Sequence, residues 1–173
     1  MASKSDPLST AASVRSDGET SSPEACVHAL YAIISGPPEL PRDWARFRTL
    51  CRPDARFLLA TRQADGAPFT QSFDVEAFVT EGTRDFAQRG LWERELVGRM
   101  ERFGRVAHVF SSYESRLDSA DAPVVARGVN SIQLVEEPDG SWRIAHLVWD
   151  RATAAQPLPR DLAGADLHER ELA

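Results

Sequence analysis

Five side chains in this sequence could do chemistry if the fold gathered them: Tyr31, Asp54, His108, Tyr113 and Asn130. A histidine near a carboxylate can act as general base, and a buried tyrosine can polarise a carbonyl. Each also has a plainer role. Tyr31 falls on an apolar helical stripe, where a core aromatic with a locally satisfied hydroxyl is the simpler reading. His108 lies between Ala107 and Val109 on a predicted strand, so strand register decides whether it faces a cavity or the other side of the sheet. Asp54 follows Pro53 at a helix-to-strand junction, where capping the turn competes with reaching a pocket.

Further polar residues are expected to pair with one another. Glu93, Glu95, Arg99 and Glu101 recur at period two and read as one strand face, a charged ladder with neighbours such as Arg127 or else the lining of a cavity. Asn130, Ser131 and Gln133 make their strand unusually polar, to meet a ligand atom or one another between subunits. His146 is expected opposite Trp149, and His28 and His168 at the surface. There is no Gly-x-Ser-x-Gly elbow, phosphate-binding glycine loop, His-Glu-x-x-His or Cys-x-x-Cys pattern. No metal and no cofactor are expected, and Cys26 and Cys51 read as small core residues.

The elements that must position these residues are legible from periodicity and punctuation. Ser22 can cap a helix with Pro23 at its first position, and Val27, Leu30, Tyr31 and Ile34 form one stripe before Gly36-Pro37-Pro38. Asp43 caps a second, short helix carrying Trp44, Phe47 and Cys51, which Pro53 ends. Strands follow at 55–61 and 68–73 around an Asp65-Gly66 turn. Asp74 opens a third helix with Val75, Phe78, Val79 and Phe86, closed by Gly90. Extended segments at 91–103, 105–117, 124–136 and 141–151 then form a meander. On the last of them Trp142, Ile144 and Val148 alternate with Ala145, Leu147 and Trp149, so both faces are apolar. One face should meet the helices and the other a second copy, a homodimer through the sheet.

Composition sets the outer bounds. The chain has 173 residues, 42% of them hydrophobic, enough for one sizeable core. A net charge of −6 opposes a nucleic-acid partner. No apolar run approaches the roughly 20 residues of a membrane span, and the serine-rich, acidic start is unlike a targeting signal, so a cytoplasmic location is expected. Residues 1–22 have little to bury and are expected to be disordered, while 152–173 read as a loose tail with at most a short helix over 162–172.

The wording "LYAIISGP", "DWARFRTLCRPDARF", "LWERELVGRMERFGRVAHVFSSYESR", "ARGVNSIQLV" and "WRIAHLVWD", on this order of elements, resembles an uncharacterised bacterial branch of the nuclear transport factor 2-like superfamily. That group includes SnoaL-like cyclases, ketosteroid isomerase and scytalone dehydratase. The resemblance spans about residues 24–151 and places one such domain at 23–151. It implies an α+β fold of cystatin-like architecture: a cone-shaped curved antiparallel sheet, a four-strand meander plus a short strand pair, wrapped by three helices. It puts Tyr31 near an oxyanion-binding tyrosine and Trp149 near a pocket wall. The position of the isomerase's second oxyanion donor falls near Ser131 or Ile132, neither of them an acid. Three functions follow as expectations. One is a binding domain for a small hydrophobic or aromatic molecule, its mostly apolar pocket lined by Leu30, Phe47, Phe78, Tyr113, Asn130, Leu147 and Trp149. Another is a cofactor-free isomerase, dehydratase or cyclase using His108 or Asp54 as base and Tyr31 as donor. The third is a dimerising module with a vestigial pocket.

Overall fold

Each helix begins at the predicted cap in the structure, a computed structural model describing residues 18–164. Ser22 Oγ accepts from Ala25 N at the start of α1 (Pro23–Ile34), Asp43 from Arg46 N at α2 (Trp44–Leu50), and Asp74 from Ala77 N at α3 (Val75–Arg89). Gly90, with φ +69°, terminates α3. The strands are β1 (Cys51–Arg62), β2 (Pro68–Phe73), β3 (Trp92–Phe103), β4 (Val106–Arg116), β5 (Val124–Glu136) and β6 (Trp142–Arg151).

The α+β class is as expected, and one junction differs. The strand pair and the meander form a single six-stranded sheet of order β2-β1-β6-β5-β4-β3, with β1 parallel to β6. Strand β1 also begins earlier than predicted. The register shifts between Cys51 and Arg56, so Pro53 and Asp54 sit in an irregular opening stretch of β1.

Register sorts the side chains onto two faces. Tyr113, Gly128 and Arg151 align across β4, β5 and β6, as do Ser111, Asn130 and Trp149, and Val109, Ile132 and Leu147. The helices cover this inner face, whose core includes Phe47, Phe57, Ile132, Leu134 and Ile144, all at 0% exposure. Phe57 and Phe47 stack on Phe78, and Trp149 stacks on Phe73 and meets Phe78 edge-on. The outer face carries the alternate residues, among them the row His108, Gln133, His146.

Two bulges correct the expected patterning. Pairing of β5 with β6 passes from His146 directly to Ile144, so Ala145 is the extra residue. Trp142 and Ile144 therefore join Leu147 and Trp149 on the inner face, leaving Arg143, His146 and Val148 outside. The two-sided apolar strand that argued for a dimer is absent. A second bulge at Leu96 splits the expected ladder. Glu93 and Glu95 point inward, while Arg99 and Glu101 lie on the outer side. The outer-face ladder centres instead on Glu114, which pairs with Arg94, Arg116 and Arg127.

The ends also differ from expectation where they are described. Thr20 O accepts from Trp142 N and Glu19 pairs with Arg46, so residues 18–22 join the fold; 1–17 lie outside the described residues. Residues 152–164 run over the outer face rather than trailing loosely. Leu162, in a 3-10 turn at Arg160–Leu162, is 4% exposed, its carbonyl accepts from Ser112 Oγ at 2.7 Å, and Asp161 pairs with Arg99. Residues 165–173, with His168 and most of the expected short helix, lie outside the described residues. Among the described residues no helix is long and apolar enough to cross a membrane.

Candidate functional site

One end of the inner face is polar. Its strand β4 presents Ser111, Tyr113 and Ser115 at period two, all 5% exposed or less. Helix α1 brings Tyr31 over them. Two contacts fix that approach: Ser35, just past α1, bonds the backbone of Glu93 in both directions, and Gly36 pairs with Leu91. The end of α1 is thereby joined to the start of β3, and Glu93 comes to lie beside Tyr31.

The hydrogen bonds run in a definite direction. Ser111 donates to Glu95 Oε1 at 2.6 Å, so its single proton is committed, and the 2.6 Å contact with Tyr31 must have the tyrosine donating. Asn130 Nδ2 donates to the Tyr31 oxygen at 3.0 Å. The result is a relay from Asn130 through Tyr31 and Ser111 to Glu95. Burial raises the Tyr31 hydroxyl well above its ordinary pKa, partly opposed by the Ser111 bond, so it stays protonated.

Glu93 is the titratable group of the site. Ser115 Oγ donates to it at 2.8 Å, Asn130 bonds it, and Arg151 attracts it. Burial outweighs all three and pushes the carboxyl up to about 7. Tyr113 completes the group, its own pKa raised by burial. Its ring lies across Gly128, where an added Cβ would come within 2.6 Å of the hydroxyl. The Tyr113 oxygen accepts from Arg151, since a guanidinium can only donate.

Of the residues singled out from sequence, the fold brings Tyr31, Tyr113, Asn130 and Trp149 together. His108 and Asp54 stay apart from them. His108 differs in parity from Ser111 and Tyr113, so it faces outward and meets Ser131 Oγ at 3.0 Å. Asp54 is exposed at the sheet margin and paired with Arg52, which lowers its pKa. Neither reaches Tyr31. Leu30, Phe47 and Leu147 are close-packed core rather than lining of a hollow, and Phe78 sits in the aromatic stack. Partial exposure at Leu59, Phe73, Phe78 and Trp149 marks the apolar edge of the polar end. From sequence, Glu93 is one of four residues expected in a charged ladder or a cavity lining, with no role of its own. The signal available was the inward polar alternation of Ser111, Tyr113 and Ser115, which called for a polar partner on the neighbouring strand. Cys26 and Cys51 are buried as expected, and burial pushes both thiols up to about 12. Among the described residues no three His, Cys, Asp or Glu side chains are grouped to hold a metal.

No family model matches the sequence, and no curated protein matches it. Solved structures do. A nuclear transport factor 2-like protein from Cytophaga hutchinsonii aligns with TM-score 0.55 at 12% identity, over 73% of this chain and 92% of its own. A ketosteroid isomerase-like protein from Parabacteroides distasonis aligns with TM-score 0.53 at 13% identity, over 77% and 89%. The β subunit of an aromatic-ring-hydroxylating dioxygenase-like protein from Novosphingobium aromaticivorans aligns with TM-score 0.58 at 13% identity, over 80% and 96%. The fold is nuclear transport factor 2-like. At these identities the likeness concerns backbone alone, and a nuclear transport factor 2-like backbone hosts unrelated activities. What this chain does is set by Glu93 and its neighbours rather than by the backbone.

Proposed function

We propose that the polar end of the inner face binds a small hydrophobic or aromatic molecule carrying a carbonyl or hydroxyl group. Behind this reading stands the placement of a half-buried glutamate, Glu93, bonded by Ser115 beside two tyrosines, where desolvation pushes its carboxyl up to about 7. A carboxyl in that setting destabilises the fold whenever it ionises, and groups kept at such a cost cluster at functional sites. The ligand's polar atom meets Tyr113 and Glu93, and its apolar body lies over Trp149 and Phe73.

A second reading, proton transfer without a cofactor, is favoured by the same carboxyl. A general base works best with a pKa near the operating pH. Glu93 would take a proton from carbon while Tyr113 donates a hydrogen bond to the developing oxyanion, the chemistry of an isomerase, dehydratase or cyclase. Named neighbours of the ketosteroid isomerase type agree with this class without assigning it.

A thermal-shift panel of ketones, steroids, terpenoids and aromatic polyketides tests binding. At least one class should raise the melting temperature of the wild type, and Glu93→Gln and Tyr113→Phe should each lose most of that gain. A hit unaffected by both substitutions would move the ligand elsewhere. For the second reading, solvent deuterium should enter a bound ketone with a rate that rises through pH 7 and disappears in Glu93→Gln.

A further inference from the structure

On the opposite side of the sheet a hollow of about 410 Å3 lies beneath residues 152–164. Its floor is Phe110, Ser131 and Val148, one cross-strand row, with Val129 beside them. Its roof is Pro157, Leu158 and Pro159. This is a strap fixed at both ends. At one end Ala152 N donates to Arg127 O at 2.8 Å and Thr153 pairs with Gln156. At the other, Leu162 is buried, its carbonyl accepts from Ser112, and Asp161 pairs with Arg99. Between these anchors the prolines offer no N–H, and the space below is lined mainly by apolar side chains.

We propose that this hollow is a second binding site, for a small uncharged aromatic or alicyclic molecule bearing one hydrogen-bond donor. The volume falls within the roughly 300–1,000 Å3 of small-molecule sites. The polar groups set the charge. Asp150, opposite Val129 on the outer face, uses Oδ1 to accept from Arg151 N at 2.7 Å, which leaves Oδ2 for a donor on the ligand. Arg151 also lines the hollow, so Asp150 and Arg151 together leave it without net charge, which suits an uncharged ligand. Ser131 is already bonded to His108. The floor lies on the face of the sheet opposite Tyr31 and Glu93, while Gly128, Trp149 and Arg151 of the inner-face rows reach its margin.

The test titrates the full chain with N-phenyl-1-naphthylamine, an uncharged diaryl amine with a single N–H, followed by its fluorescence and by amide shifts. Saturable one-to-one binding is expected, with shifts confined to residues 128–131, 148–152 and 156–162. Val148→Trp fills the floor and should weaken binding by about tenfold or more, the loss of roughly one good apolar contact. Glu93→Gln changes only the inner face and should leave the probe's affinity as it is. If Val148→Trp does not fold, the wild-type shift map decides alone. Absence of saturable binding overturns the proposal. So do shifts centred on residues 31, 93 and 113, binding unchanged by a folded Val148→Trp, or a dimer that occludes the strap and excludes the probe.

Discussion

At the scale of single residues the site depends on Glu93 being costly to ionise. Its carboxyl is raised from an ordinary 4.5 to about 7, so the folded chain holds a proton that the unfolded chain has already released. The resulting stabilisation is complete below pH 4.5 and disappears as pH rises through 7. Glu93→Gln is neutral throughout and keeps an acceptor for Ser115. Urea denaturation across pH should find it more stable than wild type by about 1–3 kcal/mol at pH 8, with a flatter profile between the two values. Tyr31→Phe should cost about 1–2 kcal/mol in the same assay, since Ser111 and Asn130 each lose a buried partner. Tyr31, Tyr113 and Asn130 could be picked out from sequence because buried polar groups on apolar elements are conspicuous. Glu93 could not be told from its ladder, because an unbroken period of two placed it with Arg99 and Glu101, and the bulge at Leu96 separates them onto two faces.

At the scale of elements, caps and turns carried most of the information. Ser22, Asp43, Asp74 and Gly90 each sit where their chemistry predicted. What stayed hidden was long-range. Arg42, 9% exposed, donates to the carbonyls of Ile34, Gly36, Pro37 and Leu40 and lies over Phe86. It satisfies the end of α1 and the loop that leads to α2, and no local pattern announces a role that depends on acceptors brought together by the fold. Arg42→Lys keeps the charge but not the planar fork, and should lower stability by about 2–3 kcal/mol in thermal or urea melts. Gly128→Ala should cost about 1–3 kcal/mol, because its Cβ would come within 2.2 Å of the Asp150 carbonyl and press on Tyr113. Tyr113→Phe in that background should restore only part of the loss, because the contacts with the Asp150 carbonyl and the ring remain.

For the whole molecule, the helix-and-strand order was readable, and the closure of the sheet through parallel β1 and β6 was not. Parallel pairing joins segments 90 or more positions apart, Phe57 with Leu147 for example, and leaves no turn signal. The strap was equally hidden, since Leu158 and Leu162 are isolated apolar residues in a polar, proline-rich stretch. A homodimer remains a proposal, now resting on Phe103 and Val106, 91% and 53% exposed at the β3–β4 turn. Sedimentation should show a dimer in the wild type and a monomer in Phe103→Asp/Val106→Asp; a monomeric wild type would remove it. The measurement closest to the central claim is a carbon-13 NMR titration of the Glu93 carboxyl, assigned by its loss in Glu93→Gln. A midpoint near 7 is predicted. A midpoint near 4.3, the value of an ordinary exposed glutamate, would contradict the account.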